Sequence, residues 1–457
     1  MMRLSGSEAT RRAVLKRAES RATRIAARLL ATIVAAAILV AATAGAVAPA
    51  KSPVSPLAGL DAIYPELYAF YLDVHQHPEL SLKEVRTAER LAAAMKRGGY
   101  EVTTGVGGTG VVGVLRNGTG PTVLLRAELD ALPVIEDTGL PFASTVPGVM
   151  HACGHDIHMA ALVGAATLLA RSKNRWRGTV LLVGQPAEET AGGARAMLSD
   201  GLFTRFPKPS YAIAVHDDSN LPAGQVTWVA GYVMANVDSV DLTIFGKGGH
   251  GAHPEATVDP IVIASRTVLA LQTIVARENN PLDPAVVTVG SIHGGAKHNI
   301  IPDEVRLQLT VRSYRPEVRA ALLAAIARIA KGEAAAAGAP REPAIAVSEG
   351  QAATYNDPAL TKRLAIALAR QLGAENVIEG RPEMAAEDFG EFGAAAGAPS
   401  VQLRIGAVEP SRFEEARQSH TTLPSLHSSA FAPDWERTIR TGATVLMVAA
   451  MELLGRP

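Results

Sequence analysis

The chain is 457 residues long, beyond the size at which a single hydrophobic core keeps growing, so we expect more than one domain. Hydrophobic residues make up 48% of the chain but aromatic residues only 4%, which favours an α/β enzyme and excludes a disordered or fibrous protein. Residues 1–50 hold eight of the 44 basic and two of the 44 acidic side chains, and the remaining 36 basic and 42 acidic side chains give a mildly acidic body that argues against nucleic-acid binding.

The first 50 residues are predicted to be an export segment. A basic stretch containing Arg11 and Arg12 resembles a twin-arginine signal, and the almost wholly apolar run 29–49 follows it. Ala46 and Ala48 form a small-x-small cleavage pattern within that run. About 20 apolar residues can also cross a bilayer, so an uncleaved membrane anchor is the alternative. We therefore expect a periplasmic or extracellular protein whose only membrane contact would be this segment.

Residues 51–234 are predicted to form the first part of an α/β catalytic domain. Two helices are expected between residues 56 and 100. Strand-like apolar runs follow at 110–116, 121–127, 178–184 and 211–216, with helical stretches at 156–171 and 191–200. Alternating strands and helices indicate a mostly parallel sheet, and the active sites of such sheets lie at the ends of their strands.

The pattern changes near residue 235. Residues 235–348 follow the order strand, helix, strand, strand, helix, strand, which is the split βαβ or ferredoxin-like arrangement of an α+β domain. We predict that this domain is inserted into the catalytic domain. The catalytic domain then resumes at 349–457, with a helix at 357–371, a strand at 399–404 and a final helix from 434.

The most informative stretch is HACGHD, which contains His151, Cys153, His155 and Asp156 and is followed by His158. Its cysteine is the only one in the chain, so no internal disulfide can form. A thiolate, imidazoles and a carboxylate so close together are typical of a site for a borderline-soft divalent metal, whereas a buried hydrophobic role is the alternative for the cysteine. His158 is expected behind the ligands or in the core. Asp156 either caps the following helix or belongs to the site.

Glu188 and Glu189, in QPAEE, are the candidate catalytic pair. In a turn their side chains can diverge, so that one binds metal while the other takes a proton from water; a solvated acidic pair at a helix start is the alternative. His216, after a strand, and His427, in LPSLHSS, are further ligand candidates. Asp130, at another strand end, either accepts a hydrogen bond from a metal-bound imidazole or belongs to a surface turn.

Three polar residues of the predicted insertion are candidate substrate contacts. His250 lies on the glycine-rich turn GKGGHG, from which it could donate a hydrogen bond to an oxyanion. Arg312 suits a substrate carboxylate, which it can hold with two hydrogen bonds, and Asn299 is another polar candidate. Each of the three could instead be a solvated turn residue.

Seven motifs, in chain order, resemble those of one group of metal-dependent amidohydrolases. They are RAELDALP (126–133), HACGHDIH (151–158), QPAEE (185–189), GKGGHGAHPEATVDPI (246–261), NIIPD (299–303), AEDF (386–389) and LHSS (426–429). The group contains hippurate hydrolases, N-acyl-amino-acid amidohydrolases and plant auxin-conjugate hydrolases, and it is related to aminoacylase and carboxypeptidase G. The resemblance covers roughly residues 57–455.

The resemblance implies two divalent metal ions per chain on a zinc-peptidase-like domain. Matched position by position, Cys153 resembles the bridging ligand, and four further residues match the remaining ligands: His155, Glu189, His216 and His427. Zinc suits such a donor set, and manganese, cobalt and nickel are the alternatives.

The same resemblance implies roles around the metals. Glu188 matches the general base that activates water and then protonates the leaving amine. His250 matches a residue that stabilises the tetrahedral oxyanion, often across a dimer interface, while Asn299 and Arg312 match positions near the substrate. The insertion matches a lid and dimerisation domain, so a homodimer or larger homo-oligomer is implied.

Departures from the group concern the surroundings of the ligands, all of which are intact. Glu128 stands where aspartate is usual, Glu255 where histidine is usual, and Asp217 begins a stretch that is usually hydrophobic and ends in proline. We expect hydrolysis of N-acyl amino acids to a carboxylic acid and a free amino acid, with the changes near 217 and 255 bearing on substrate preference. A dipeptidase or carboxypeptidase of the same fold, and a non-catalytic metal- or peptide-binding protein, are the alternatives.

Overall fold

The computed structural model describes residues 11–24, 57 and 59–455, in two compact units, Met1–Ser55 and Pro56–Pro457. In the first unit, residues 11–24 form an exposed helix, α1. The predicted apolar run at 29–49 and its cleavage pattern lie outside the described residues. All elements named below belong to the second unit.

An eight-stranded sheet forms the centre of the second unit, in the order β1-β2-β4-β3-β5-β16-β6-β15. Its strands are β1 (Glu101–Val106), β2 (Gly110–Asn117), β3 (Thr122–Glu128), β4 (Gly178–Gln185), β5 (Tyr211–Pro222), β6 (Val226–Trp228), β15 (Val377–Glu379) and β16 (Ser400–Val408). The four central strands β4, β3, β5 and β16 are parallel, whereas β1, β2 and β6 join the sheet antiparallel to a neighbour. The predicted α/β class with a mostly parallel core is confirmed.

Helices cover both faces of this sheet, which explains why its central strands are continuous apolar runs. Val123 and Leu125 of β3 pack into one core, whereas Leu124 between them packs into the core on the opposite face. The helices of this domain are α2 (Leu60–His75), α3 (Val85–Arg97), α4 (His155–Arg171), α5 (Gly193–Ser199), α6 (Leu202–Arg205), α9 (Pro358–Leu372), α10 (Gly390–Ala396), α11 (Pro410–Ser419) and α12 (Trp435–Leu454). Helices α2, α4 and α12 line the first core, and α5 and α10 line the second.

The inserted segment forms a second sheet with its own core. Its elements, in chain order, are β8 (Asn236–Phe245), α7 (Pro260–Thr273), β10 (Ala285–Gly294), β12 (Glu304–Ser313), α8 (Pro316–Ala336) and β13 (Ala344–Glu349). The antiparallel sheet has the order β10-β12-β8-β13, which is the split βαβ arrangement expected from the sequence. Val240 and Leu242 of β8 are buried with α7 and α8, whereas Ser239 and Asp241 are exposed.

Two short ribbons complete the described strands. One pairs β9 (Gly249–His250) with β11 (Ile300–Ile301) in the insertion, and the other pairs β7 (Gly231–Met234) with β14 (Thr354–Asn356). A π-helical turn extends α7, and Pro260–Glu278 is the one stretch of the described helices whose length and composition would allow it to cross a bilayer. That criterion is weak, because core helices of water-exposed domains also meet it.

Candidate metal centre and substrate cleft

The turn between Cys153 and His155 depends on its central glycine. Gly154 adopts φ 74°, and a Cβ atom there would lie 2.2 Å from Oδ2 of Asp217, so only glycine fits. Helix α4 begins immediately afterwards, with Gly154 as its N-cap residue. Of the two roles considered for Asp156, helix capping is ruled out, because Asp156 lies inside the helix; its carboxylate accepts the Ile157 N–H and contacts Nδ1 of His75 at 2.6 Å.

The predicted metal ligands converge from two elements, α4 and β5, and from three loops into two overlapping groups. Cys153, His155 and His216 form one group, and Cys153, Glu189 and His427 form the other, with the ligand atoms of each group within 4.8 Å of one another. His216 comes from β5 and His427 from the loop before α12. Because Cys153 belongs to both groups, its thiol lies between two places that could each hold a cation.

The spacing of these atoms fits metal coordination. Sγ of Cys153 lies 3.6 Å from Nε2 of His216 and 3.3 Å from Nε2 of His427, and Oε1 of Glu189 lies 3.5 Å from the same His427 nitrogen. A tetrahedral ion with ligand bonds of about 2.0–2.3 Å separates its ligand atoms by roughly 3.3–3.8 Å. The buried atoms Nε2 of His155 and Oε1 of Glu189 also have no hydrogen-bond partner in the described part of the chain. Buried polar atoms are rarely left so, and the donor set therefore fits divalent metal.

His155 is oriented from behind by Asp130. Nδ1 of His155 lies 2.8 Å from the main-chain oxygen of Asp130 and 3.5 Å from its carboxylate, so Nδ1 carries the proton and Nε2 is left as the ligand atom. The Asp130 carboxylate also accepts the hydroxyl of Ser81 and the backbone N–H of Glu189. Asp130 is buried, which rules out the surface turn considered from the sequence.

His216 is held by the residue that follows it. Its Nδ1 lies 2.8 Å from the main-chain oxygen of Asp217 and 3.3 Å from the Asp217 carboxylate, so Nε2 faces the thiol of Cys153. Asp217 is completely buried and also lies 3.3 Å from Nε2 of His158, whose Nδ1 contacts Glu128 at 2.9 Å. His158 therefore lies directly behind the ligands, and two departures from the resembled group, Glu128 and Asp217, contact the same histidine.

The backbone of two loops is strained where it presents a functional side chain. His427 has φ 66°, and its N–H donates to the carbonyl oxygen of Ala152 at 2.8 Å. Ala187, directly before Glu188, has φ 49°, and its N–H donates to the carboxylate of Glu84. Such conformations cost about 1–3 kcal/mol each in non-glycine residues and are concentrated at functional sites.

Glu188 lines the cleft without belonging to either ligand group. In the described part of the chain its carboxylate has no hydrogen-bond partner, whereas its main-chain oxygen accepts the backbone N–H of Ala191 and the side-chain amide of Gln351. Burial raises the pKa of Glu188 well above its usual value, and the nearby carboxylates Glu387 and Asp388 raise it further. A carboxyl group with these properties can accept and return a proton near neutral pH.

A buried ion network lies beneath Glu188. Arg126 bonds Glu387 through both Nη atoms and contacts Glu128 and Asp388, while its Nε donates to Gln185. The sequence matched the RAELD and EDF motifs to those of the resembled group, but it assigned no role to Arg126, Glu387 or Asp388. Their contacts show that the two motifs form one charge cluster that supports the QPAEE turn.

The cleft beside the ligands has a volume of about 380 Å³. Its wall includes Arg312 of the insertion, as expected for a substrate contact, and also Arg404 of β16 and Glu383, neither of which was singled out from the sequence. Arg312 is fixed by a hydrogen bond from Nη1 to the carbonyl oxygen of Met384 at 2.8 Å. Apolar side chains such as Met234, Val237 and Leu426 form much of the remaining wall.

His250 and Asn299 lie together in the insertion but do not line this cleft. Both are exposed, on the β9–β11 ribbon and the adjoining turn, where the Gly251 N–H donates to the Asn299 carbonyl oxygen. The backbone N–H of Ala252 donates to Nδ1 of His250 at 3.0 Å. A neutral His250 therefore carries its proton on Nε2, which makes that atom a hydrogen-bond donor. Glu255 is exposed as well, 3.5 Å from Nδ1 of His253.

The sequence and the fold match a known family and its members. The sequence model that describes Peptidase family M20/M25/M40 matches residues 124–446 of the chain. The chain is 41% identical over 328 residues to the hippurate hydrolase of Campylobacter jejuni, covering 70% of this chain and 82% of that protein. It is 36% identical over 383 residues to thermostable carboxypeptidase 1 of Saccharolobus solfataricus, covering 83% and 93%.

A solved structure shares the whole architecture. The Bacillus subtilis YXEP protein, a dinuclear metal binding peptidase from the M20 family, superposes with a TM-score of 0.72 at 30% sequence identity. The match covers 86% of this chain and 99% of that one. A match of this length includes both the central sheet and the insertion.

Proposed function

Because the chain belongs to the peptidase family M20/M25/M40, we propose that it is a metallo-amidohydrolase that cleaves the amide bond of N-acyl amino acids. The observation that carries the proposal is the position of Glu188, a buried carboxyl group outside both ligand groups that faces the same cleft as Cys153 and His427. The relative named hippurate hydrolase supports this substrate class.

The proposed reaction is hydrolysis with a single acid–base residue. When bound, divalent metal would polarise the substrate carbonyl and make water more acidic, and Cys153, His155, Glu189, His216 and His427 would hold it. Glu188 takes one proton from the attacking water as the new C–O bond forms. It then returns that proton to the amide nitrogen as the C–N bond breaks, so a carboxylic acid and a free amino acid leave. Two ions are proposed because Cys153 joins two ligand groups.

Two residues of the insertion complete the proposal. Arg312, on the cleft wall, would hold the α-carboxylate of the amino acid. His250, with its proton on Nε2, would donate a hydrogen bond to the tetrahedral oxyanion. Since His250 is exposed in this structure, closure of the inserted domain or a second subunit would have to bring it to the cleft. A homodimer or larger homo-oligomer, which the family resemblance implies and which would supply such a second subunit, is also part of the proposal.

The second candidate function is a carboxypeptidase or dipeptidase. It is supported by the relative named thermostable carboxypeptidase 1, which is 36% identical over 383 residues. The chemistry at Glu188 would be the same, because a peptide is also a linear amide. Only the group on the acyl side of the scissile bond would differ.

The test uses protein purified without residues 1–50. Bound metal is quantified, and amino-acid release from hippurate, N-acetyl amino acids and dipeptides is followed before and after chelation. We expect chelator-sensitive release from the acyl amino acids and slower release from dipeptides. The Glu188→Gln variant should keep its metal but lose about 10²–10⁴-fold in kcat. Normal turnover by this variant, or metal-loaded protein that hydrolyses none of the compounds, would refute the proposal.

We also propose that the protein is exported and that residues 1–50 direct the export. The proposal rests on the Arg11-Arg12 pair and the apolar run 29–49. Replacing both arginines by lysine should retain the protein in the cytoplasm if a twin-arginine pathway carries it. The N-terminal residue of the exported protein would distinguish cleavage after Ala48 from an uncleaved anchor.

A further inference from the structure

The cleft contains a buried arginine that the proposed reaction does not use. Arg404 lies on β16 opposite His216 in the strand register, and it lines the cleft although its side chain is only 9% exposed. An arginine this deeply buried is normally fully paired, because an unpaired charge away from water is costly. The hydrogen-bond partners of Arg404 therefore indicate its role in the cleft.

The contacts of Arg404 leave part of its hydrogen-bonding capacity unused. Nη2 donates to the Glu383 carboxylate at 2.9 Å and contacts the sulfur of Met234 at 3.5 Å, while Nη1 reaches only the main-chain oxygen of Asp217, at 3.5 Å. Guanidinium carries five N–H donors, and these contacts use no more than three of them. Glu383 is 47% exposed, so its ion pair with Arg404 is screened by water and readily exchanged.

Arg312 and Arg404 are held by consecutive residues of one segment. Arg404 pairs with the side chain of Glu383, and Arg312 donates to the main-chain oxygen of Met384. Both guanidinium groups line the same cleft, and among the described residues of its wall they are the only permanent cations. One of them suffices for the α-carboxylate of an amino acid, which leaves the other without a role in binding a monoanion.

We propose that Arg404 is a specificity-determining residue that selects substrates with a second carboxylate in addition to the α-carboxylate. This inference rests on the proposed hydrolysis of N-acyl amino acids and narrows its substrate class to dianions. The second carboxylate displaces Glu383 and pairs with the planar guanidinium of Arg404, a geometry that allows two parallel hydrogen bonds. It belongs either to an acidic amino-acid side chain or to a dicarboxylic acyl group.

Isosteric substrate pairs separate these two sources and isolate the charge. N-acetyl-glutamate is compared with N-acetyl-glutamine, and N-succinyl-alanine with its succinamoyl counterpart, by kcat/KM in the metal-loaded protein. We expect the dianion to be preferred about 10- to 100-fold in at least one pair, as for a charge-assisted hydrogen bond. The pair that shows the preference identifies the position of the second carboxylate.

Two cleft variants should shift this preference in opposite directions. Arg404→Met should abolish the preference, and the loss on the dianionic substrates should appear in KM rather than in kcat, because Glu188 and the proposed metal ligands are unchanged. Glu383→Gln should increase the preference, because it removes the carboxylate that competes with the substrate. Arg363→Met is the matched control: it breaks an arginine–glutamate pair with Glu452 outside the cleft and should leave the preference unchanged.

The results of these experiments separate a failure of the Arg404 inference from a failure of the proposed function. Equal or better hydrolysis of the monoanionic substrates by the wild-type protein, or an Arg404→Met variant that loses activity equally on both members of each pair, overturns the role of Arg404 alone. Failure of the metal-loaded wild-type protein to hydrolyse any of the four compounds, together with hippurate, overturns the proposed function itself.

Discussion

The thiol of Cys153 lies 3.3 Å from Nε2 of His427, although 274 residues separate them along the chain. The hydrogen bond from the His427 N–H to the carbonyl oxygen of Ala152 holds the two loops together at this point. Cys153 also lies 3.6 Å from His216. The single cysteine of the chain therefore contacts candidate ligands from both the early and the late part of the catalytic domain. Its loss should therefore affect both proposed metal positions.

Cys153→Ser should release at least one of the two proposed ions and lower kcat/KM on hippurate about a thousandfold, because a neutral hydroxyl is a poor ligand compared with a thiolate. Elemental analysis of the purified protein and initial rates measure both effects. Cys153→Asp should retain more metal than the serine variant, since it restores an anionic ligand. A serine variant with full metal content would contradict the bridging position.

Asp217 should control metal affinity through His216 rather than by binding metal itself. Asp217→Asn weakens the contact to Nδ1 of His216 and to Nε2 of His158, so we expect metal affinity to fall about 10- to 100-fold. Competition with a chromophoric chelator measures the metal affinity, and the visible spectrum of the cobalt-loaded protein reports the coordination geometry of the metal. Asp218→Asn is the same change at the next position. The Asp218 carboxylate only accepts the Asn220 N–H, so this variant should keep the metal affinity and the cobalt spectrum unchanged. Equal affinities of the two variants would rule out this role.

The sequence predicted the fold where local patterns determine it. The central strands were recognisable as short apolar runs, whereas β1 was missed because this half-polar edge strand alternates weakly and joins the sheet only by pairing with β2. Cys153 and His155 were predicted from their spacing and from the histidine and aspartate beside them. His216 and His427 gained weight only because a site built from three ligands needs more of them. Nothing in their own neighbourhoods specifies a ligand.

The role of Arg404 could not be predicted from the sequence. Its position in the cleft depends on the pairing of β16 with β5, which places it opposite His216, and on Glu383 arriving from a loop. The contact between His75 and Asp156 joins residues 81 positions apart and likewise has no local pattern. Such contacts depend on strand pairing and loop packing between distant parts of the chain, which the pattern of a single sequence does not specify.

His75 should make the stability of the protein depend on pH. Burial alone lowers the pKa of His75, but hydrogen bonds to Asp156 and Glu136 outweigh burial and raise it to about 9. The folded protein therefore holds this proton more tightly than the unfolded chain. The resulting stabilisation is complete below about pH 6.5, the unfolded value, and is lost as the pH rises through about 9.

Denaturant unfolding of the chelated protein at pH 6, 7.5 and 9 measures this effect. We expect the free energy of unfolding to fall with rising pH, with His75 contributing at most about 1.4 kcal/mol per pH unit. His75→Asn leaves two buried carboxylates without their cation and should cost about 3 kcal/mol at pH 6, while removing that part of the slope. His77→Asn, at a half-exposed site two residues away, is the control and should retain the slope. An unchanged slope in His75→Asn would disprove the assignment.

His250 should act on turnover and not on metal binding. Because the Ala252 N–H occupies Nδ1, the neutral ring offers only its Nε2–H to a developing oxyanion. Removing one such donor typically lowers kcat about 10²–10³-fold, so His250→Ala should lose activity to this extent at unchanged metal content. His253→Ala removes the neighbouring exposed ring, whose centroid lies 5.5 Å away, and should retain wild-type kcat. If His250→Ala also turned over normally, the exposed position of His250 in this structure would be its working position, and the oxyanion would have to be stabilised from within the cleft.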